Sequence, residues 1–141
     1  MTKTVLSTLR LTHEGALTAL RAAIEHSNFL GVGQNITIVD DGGNLLAFVR
    51  MDGARFLSIK TSLKKARTAA SHRMPSSQVS ETLALQFAAA TDGDVTALEG
   101  GFPILFGGIC VGGIGVGSGS GAQDCAVARA ALAAIGADPV N

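Results

Sequence analysis

The sequence predicts an α/β domain of the α+β kind, a mainly antiparallel central sheet flanked by helices, with residues 1–141 forming a single domain. Three observations carry this reading. Segments of helical period alternate with β-branched segments in the order helix, hairpin, helix, hairpin, helix. The strands of each pair are joined by a turn of a few residues, which can connect antiparallel neighbours but not parallel ones. A chain of 141 residues is also long enough for one continuous core. The short turns exclude a doubly wound dinucleotide fold.

The first helix opens at Thr12, a good N-cap, with Glu14 favourably placed in the first turn. Leu17, Leu20 and Ile24, with Ala16 and Ala23, form its apolar stripe, and Gly31 stops it after Leu30. Ile36-Thr37-Ile38-Val39 reads as a strand, and Asp40-Asp41-Gly42-Gly43 as a hairpin turn because these residues tolerate positive φ. The second strand, Asn44 to Arg50, is apolar at Leu45 through Val49, the pattern of a strand covered on both faces. A helix follows from about Phe56 to Ser71, with Ile59, Leu63, Ala66 and Ala70 on one side and Lys60, Lys64 and Arg67 on the other. Pro75 ends it, a shorter helix spans Ser77 to Ala90, and a polar loop surrounds Asp92-Gly93-Asp94. Ten of the 18 glycines then lie between Gly100 and Gly121, among two further strands joined at Gly107-Gly108. Glycine weakens a strand unless another backbone or a ligand must come close. An Ala-rich helix from Gln123 to Ile135, ended by Gly136, completes the chain.

Composition narrows the function. Hydrophobic residues make up 47% and charged residues only 16%, so the chain is ordered and part of its surface is expected to be hidden in a homo-oligomer. Eleven acidic residues balance eleven basic ones, and Tyr and Trp are absent, which argues against a nucleic-acid partner. No apolar run approaches the roughly 20 residues of a membrane span. With no secretory signal visible and Cys110 and Cys125 read as reduced thiols, a cytoplasmic location is expected.

Several residues are candidates for chemistry, each with a plainer alternative. The run Gly117-Ser118-Gly119-Ser120-Gly121-Ala122-Gln123-Asp124 opens the last helix and either offers N–H groups to an anion or is a tight turn capped by Ser120 or Asp124. Arg50 presents a planar fork suited to a carboxylate, or else pairs with Asp52 or Asp124 to fix its loop. Lys65 is either solvated or partly buried, where it could bind an anion or act as a base. His13, His26 and His72 form no metal-binding spacing, although one neutral imidazole over an apolar slot suffices for haem iron. Phe48, Phe56, Phe102 or Phe106, with Met51 or Met74, could line such a slot or could equally be core. The two cysteines sit in apolar segments that raise thiol pKa, and no nucleophilic triad is legible.

An ordered series of short motifs spans about Leu11 to Ile135. It runs Val39-Asp40-Asp41-Gly42-Gly43-Asn44-Leu45, Arg50-Met51-Asp52-Gly53-Ala54, Lys65-Ala66-Arg67-Thr68-Ala69 and Arg73-Met74-Pro75-Ser76. Gly100-Gly101-Phe102-Pro103, Gly113-Ile114-Gly115-Val116-Gly117-Ser118 and Gln123-Asp124 complete it. Together they resemble the GlcG/HbpS family, also found as the C-terminal domain of PduO-type cobalamin adenosyltransferases. The resemblance implies a profilin-like fold and assembly into dimers, tetramers or octamers. It also implies haem binding between subunits in some members, with His13 as the position for an iron ligand, while other members are encoded beside glycolate or diol catabolism.

Two functions are therefore expected. The first is a small oligomeric ligand-binding protein for haem or a related tetrapyrrole, accessory to a metabolic pathway. There Arg50, Met51, Phe102, Ser118, Gly119 and Gln123 would surround the ligand and His13 would meet the metal. The second is an isomerase, hydrolase or lyase acting on a carboxylate-bearing metabolite, with Arg50 as anchor and Lys65, Asp52 or Asp124 moving protons.

Overall fold

Alternating hydrophobicity in four short segments builds one antiparallel sheet in the order β2-β1-β4-β3. The computed structural model describes residues 3–141; Met1 and Thr2, the start of the expected domain span, lie outside the described residues. The strands are β1 (Asn35–Asp40), β2 (Leu45–Arg50), β3 (Gly101–Phe106) and β4 (Ile109–Gly117). The helices are α1 (His13–Leu30), α2 (Ser58–His72), α3 (Glu81–Ala90) and α4 (Gly121–Ala134), with a 3-10 turn at Ser76–Gln78. This is the α+β architecture expected from the order of elements. Thr12 caps α1 by accepting from the Gly15 N–H, and Gly31 closes it in the left-handed region at φ 71°. Asp40 builds the β1–β2 turn, its Oδ1 accepting from the N–H groups of Gly42 and Asn44 at 2.9 Å each.

The two faces of the sheet bury different things. On one, Ile36, Ile38, Ile104, Ile114 and Val116 meet Ala16, Leu20 and Ala23 of α1 and Val127 and Ala131 of α4, all nearly inaccessible. Burying a side chain the size of the isoleucines is worth about 1.5–3 kcal/mol, so this face supplies most of the hydrophobic stabilisation. On the other face lies α2, where Thr37 and Val39 of β1 meet the helix and the strands beside them present mainly glycine. Gly113, Gly115 and Gly117 alternate along β4, and Gly101 sits beside them on β3. A Cβ on Gly115 would overlap the Ser62 carbonyl, on Gly113 that of Ala66, and on Gly101 that of Lys65. The underside of α2 is correspondingly small, with Ser62, Ala66, Ala69 and Ala70 buried. Thr37 and Ser62 share a hydrogen bond of 2.8 Å across this seam. The crowded glycines are thus the seat of a helix, with backbone resting on backbone.

Three expectations need correcting. β2 is an edge strand and not a doubly covered one; Leu45 is 60% and Phe48 36% exposed. An apolar run alone cannot tell a strand covered by its own chain from one left bare at an edge. The buried face of α2 runs through Ser62, Lys65, Ala66 and Ala69, leaving Ile59 37% exposed, because glycine accommodates small residues and excludes isoleucine. The segment expected as one helix from Ser77 to Ala90 divides into the 3-10 turn and α3, and no residue of α3 is buried.

The glycine seat predicts an asymmetry. Gly115→Ala should lower unfolding free energy by about 3 kcal/mol, the upper range for overpacking. Gly42→Ala, in the exposed turn, should cost under about 1 kcal/mol. Urea unfolding at fixed protein concentration measures both; equal costs would refute the seat.

Candidate functional site

At the end of the sheet where β4 runs into α4, a charged pair is sealed inside the fold. Lys65 of α2 and Asp124 of α4 are 5% and 2% exposed. The Lys65 Nζ donates to the Val116 carbonyl at 2.8 Å and lies 3.1 Å from Asp124 Oδ2. Asp124 Oδ1 accepts from the Gly119 N–H at 3.0 Å. Burial pushes the Asp124 carboxyl up from its ordinary value, against Lys65 and the Gly119 N–H, which pull it down. The amide of Gln34, fully buried near the same carboxylate, has no partner of good hydrogen-bond geometry. Chemically this arrangement is a three-way staple of α2, β4 and α4. Neither groove described below is lined by Lys65 or Asp124.

The glycine-rich loop that leads into α4 uses its own polar groups. Ser120 and Gln123 form a capping box, each side chain accepting from the other's backbone N–H. Ser118, held at φ 94°, accepts through Oγ from the Arg55 N–H at 2.8 Å. The Gly119 N–H donates to Asp124, so the N–H groups of Gly119, Ser120 and Gln123 all have partners within the loop and α4. Arg50 also has no carboxylate within 4.0 Å among the described residues, since Asp124 is taken by Lys65.

Arg50, Met51 and Asp52 instead border a groove of about 380 Å³ with Val49 of β2 and Ile24 and Asn28 of α1. Arg50 stands at the end of β2, opposite Asn35 in the ladder. The Met51 N–H donates to the Gln34 carbonyl at 2.9 Å, which pins the loop beyond it. Val49 and Met51 lean on the main core and give the groove an apolar floor, while Arg50 and Asp52 are its polar lip. On α1, the residues at Ile24 and Asn28 continue at helical spacing through Arg21 and Leu17 to His13. This stripe was not legible as a unit, because Leu17 and Ile24 read as core; Leu17 is 39% exposed.

The remaining candidates lie elsewhere. Phe102, expected at the ligand, is 2% exposed in the core, with the Arg129 guanidinium 5.1 Å above its ring. His13 is exposed at the start of α1, about 16 Å along the helix axis from Ile24 at 1.5 Å per residue. His26 packs on Phe29, and a ring nitrogen of His72 lies 3.1 Å from the Thr68 carbonyl. Burial raises the thiol pKa of Cys110 and Cys125, so both stay protonated at neutral pH. No group of three or more metal-ligating side chains occurs among the described residues.

Comparison with known proteins places this geometry in a family. The family model described as haem-degrading protein HbpS-like matches residues 11–133. The chain belongs to the HbpS-like family. This HbpS-like chain is 34% identical over 122 residues to the corrinoid adenosyltransferase PduO of Salmonella typhimurium, an alignment covering 82% of the chain but 36% of that relative. Among solved structures, a PduOC–haem complex superposes with a TM-score of 0.86 at 28% identity, covering 94% of this chain and all of that one. A double mutant of HbpS from Streptomyces reticuli gives 0.82 at 34% identity, covering 94% of this chain and 92% of that one. The profilin-like expectation is thereby met by a four-stranded antiparallel sheet shared with these structures.

The sealed pair makes two predictions. Lys65→Met leaves the buried Asp124 carboxylate without its cation and should cost about 3–5 kcal/mol above the raised carboxyl pKa, whereas Lys65→Met with Asp124→Leu should recover much of that loss. A double variant no more stable than Lys65→Met in urea would contradict the staple. The raised carboxyl pKa also fixes a sign. The folded state holds this proton more tightly than the unfolded chain, so the contribution of Asp124 to stability falls as pH climbs from 3.8 through the raised value. Unfolding free energies measured across that range should show the decline in the parent and lose it in Asp124→Asn.

Proposed function

We propose that this HbpS-like protein is a homo-oligomeric haem-binding protein, accessory to a metabolic pathway, and that haem lies along the seam between α1 and β2. The observation that carries the proposal is the continuous strip from exposed His13 through Leu17 and Arg21 to the groove of Ile24, Val49, Met51 and Arg50. The strip combines what such a ligand requires: an imidazole able to ligate iron, an apolar bed for the macrocycle and guanidinium groups for its carboxylates. Bound haem would supply the iron and its redox chemistry. The residues here would hold and orient it, His13 at the metal and Arg50 at an acidic group, with Met51 on the apolar floor.

The likeness to PduOC, solved with haem, supports this ligand class. Two copies of the chain suit the site better than one. His13 and Arg50 of a single protomer stand at opposite ends of α1, farther apart than the iron of one macrocycle from its own carboxylates. The bare edge of β2, with Leu45 and Phe48 exposed, is a surface that a second copy would cover. No helix among the described residues is long and apolar enough to cross a membrane. The two free thiols suit a reducing compartment such as the cytoplasm. The alternative of acid–base catalysis gains no support from Lys65 and Asp124, which are buried away from both grooves, and leaves Asp52 alone beside Arg50 at the groove lip.

Titration of the purified protein with hemin should give a saturable Soret shift. His13→Ala should change the band position and weaken binding at least tenfold, about 1.4 kcal/mol. Arg50→Ala should weaken binding by about 1–3 kcal/mol with the band position kept. A Soret response that is absent, or identical in both variants, would overturn the proposal.

A further inference from the structure

A second, larger cleft opens at the opposite end of the sheet, where the β1–β2 and β3–β4 turns lie, on the face covered by α2. Its volume is about 560 Å³, within the range of small-molecule sites. From the α1–β2 groove it is separated by the length of β2, about 20 Å at strand rise, and by the sheet itself. None of the roles assigned above uses it.

Two arginines of α2 and its C-cap dominate the cleft. Arg67 is fixed in place, its Nε donating to the Gly43 carbonyl at 3.0 Å and its Nη1 to Asp94 Oδ1 at 3.2 Å. A guanidinium has five N–H donors, so most of its fork is still available. Asp94 also receives Lys64 Nζ at 2.7 Å, so two cations share this one carboxylate. Arg73 caps α2 in the left-handed region at φ 59° and lines the same cleft. Among the described residues its side chain makes no ion pair within 4.0 Å and no hydrogen bond. Asp41 stands on the other lip, and the Cys110 side chain forms part of the wall. The Cys110 thiol lies 3.4 Å from the Gly112 carbonyl and stays neutral because burial raises its pKa, so it is no nucleophile. The cleft is therefore equipped for binding rather than covalent chemistry.

We propose that this cleft binds a small polar metabolite through an oxyanion, a phosphate or carboxylate, held between Arg67 and Arg73. Asp41 accepts from a hydroxyl or amine of the same molecule. A planar, pre-positioned guanidinium favours bidentate oxyanion contacts, and the second, unpaired arginine supplies the charge that Asp94 does not consume.

Isothermal titration with inorganic phosphate, with succinate and with neutral glycerol tests the assignment. Saturable heat is expected from phosphate or succinate and none from glycerol, the tighter anion naming the acidic group. Arg73→Ala, at an exposed position, should weaken that anion at least tenfold while its thermal melt and hemin Soret titration match the parent. Arg67→Lys, which keeps the charge and loses the fork, should also weaken it. No saturable heat from either anion, an affinity unchanged in Arg73→Ala, or an affinity lost in Arg50→Ala would each overturn the proposal. The last result would move the anion to the α1–β2 groove.

Discussion

The closeness of α2 to β4 is the constraint from which the rest of the molecule follows. Gly113, Gly115 and Gly117 leave one face of the second half of the strand without side chains, and Gly101 adds to that bare surface on β3. The helix then lies with its carbonyls where Cβ atoms would otherwise stand. The apolar contribution of this seam is small and confined to Val39 with Ala66, Ala70 and Leu63, since the other buried residues of α2 are serine, threonine, Ala69 and one lysine. Its stability rests on fit, on the Thr37–Ser62 hydrogen bond and on the Lys65–Asp124 staple. The opposite face, filled by isoleucine and valine against α1 and α4, supplies the hydrophobic free energy.

This division of labour decides where a ligand can go. With α2 seated on Gly101, Gly113 and Gly115, no guest fits between that helix and those glycines. At the start of α4 the N–H groups of Gly119, Ser120 and Gln123 are taken by Asp124, Gln123 and Ser120. Space remains at the periphery: along the seam of α1 with edge strand β2, and in the cleft where α2 ends. The first offers an apolar floor with an arginine at its rim, the second a mostly polar wall with two arginines. Such unlike surfaces suit unlike ligands, a flat apolar macrocycle in one and a small acidic molecule in the other.

Much of the fold was legible in the sequence because local signals agreed with it. Thr12, Gly31, Asp40 and Gly107-Gly108 each demand one backbone conformation, and the structure adopts it. The site was less legible, since its parts are joined only by tertiary packing. Spacing sets Lys65 beside the apolar stripe and Lys64 further outward, and Lys64 does hold Asp94 at the surface, but nothing in spacing shows that Lys65 is sealed against Asp124. Glycines in a strand announce a close approach without saying whether helix or ligand makes it. Phe102 and Leu17 show the same ambiguity from opposite sides: residue type suits Phe102 to a ligand or to the core, and it is core, whereas helical spacing suits Leu17 to the core and it stands at the surface. Arg50 was singled out for its residue type, and it does border a groove, though that groove adjoins α1 and not the glycine loop.

Amide hydrogen exchange, followed with and without hemin, tests most directly whether the glycine face is closed and the α1–β2 seam is where the ligand sits. Added protection should be confined to the α1 stripe from His13 to Asn28 and to β2 with Met51 and Asp52, leaving α2 and β4 unchanged. Protection or loosening centred on residues 58–72 and 101–117 would contradict the account, because it would place hemin between the helix and the glycines on which it rests.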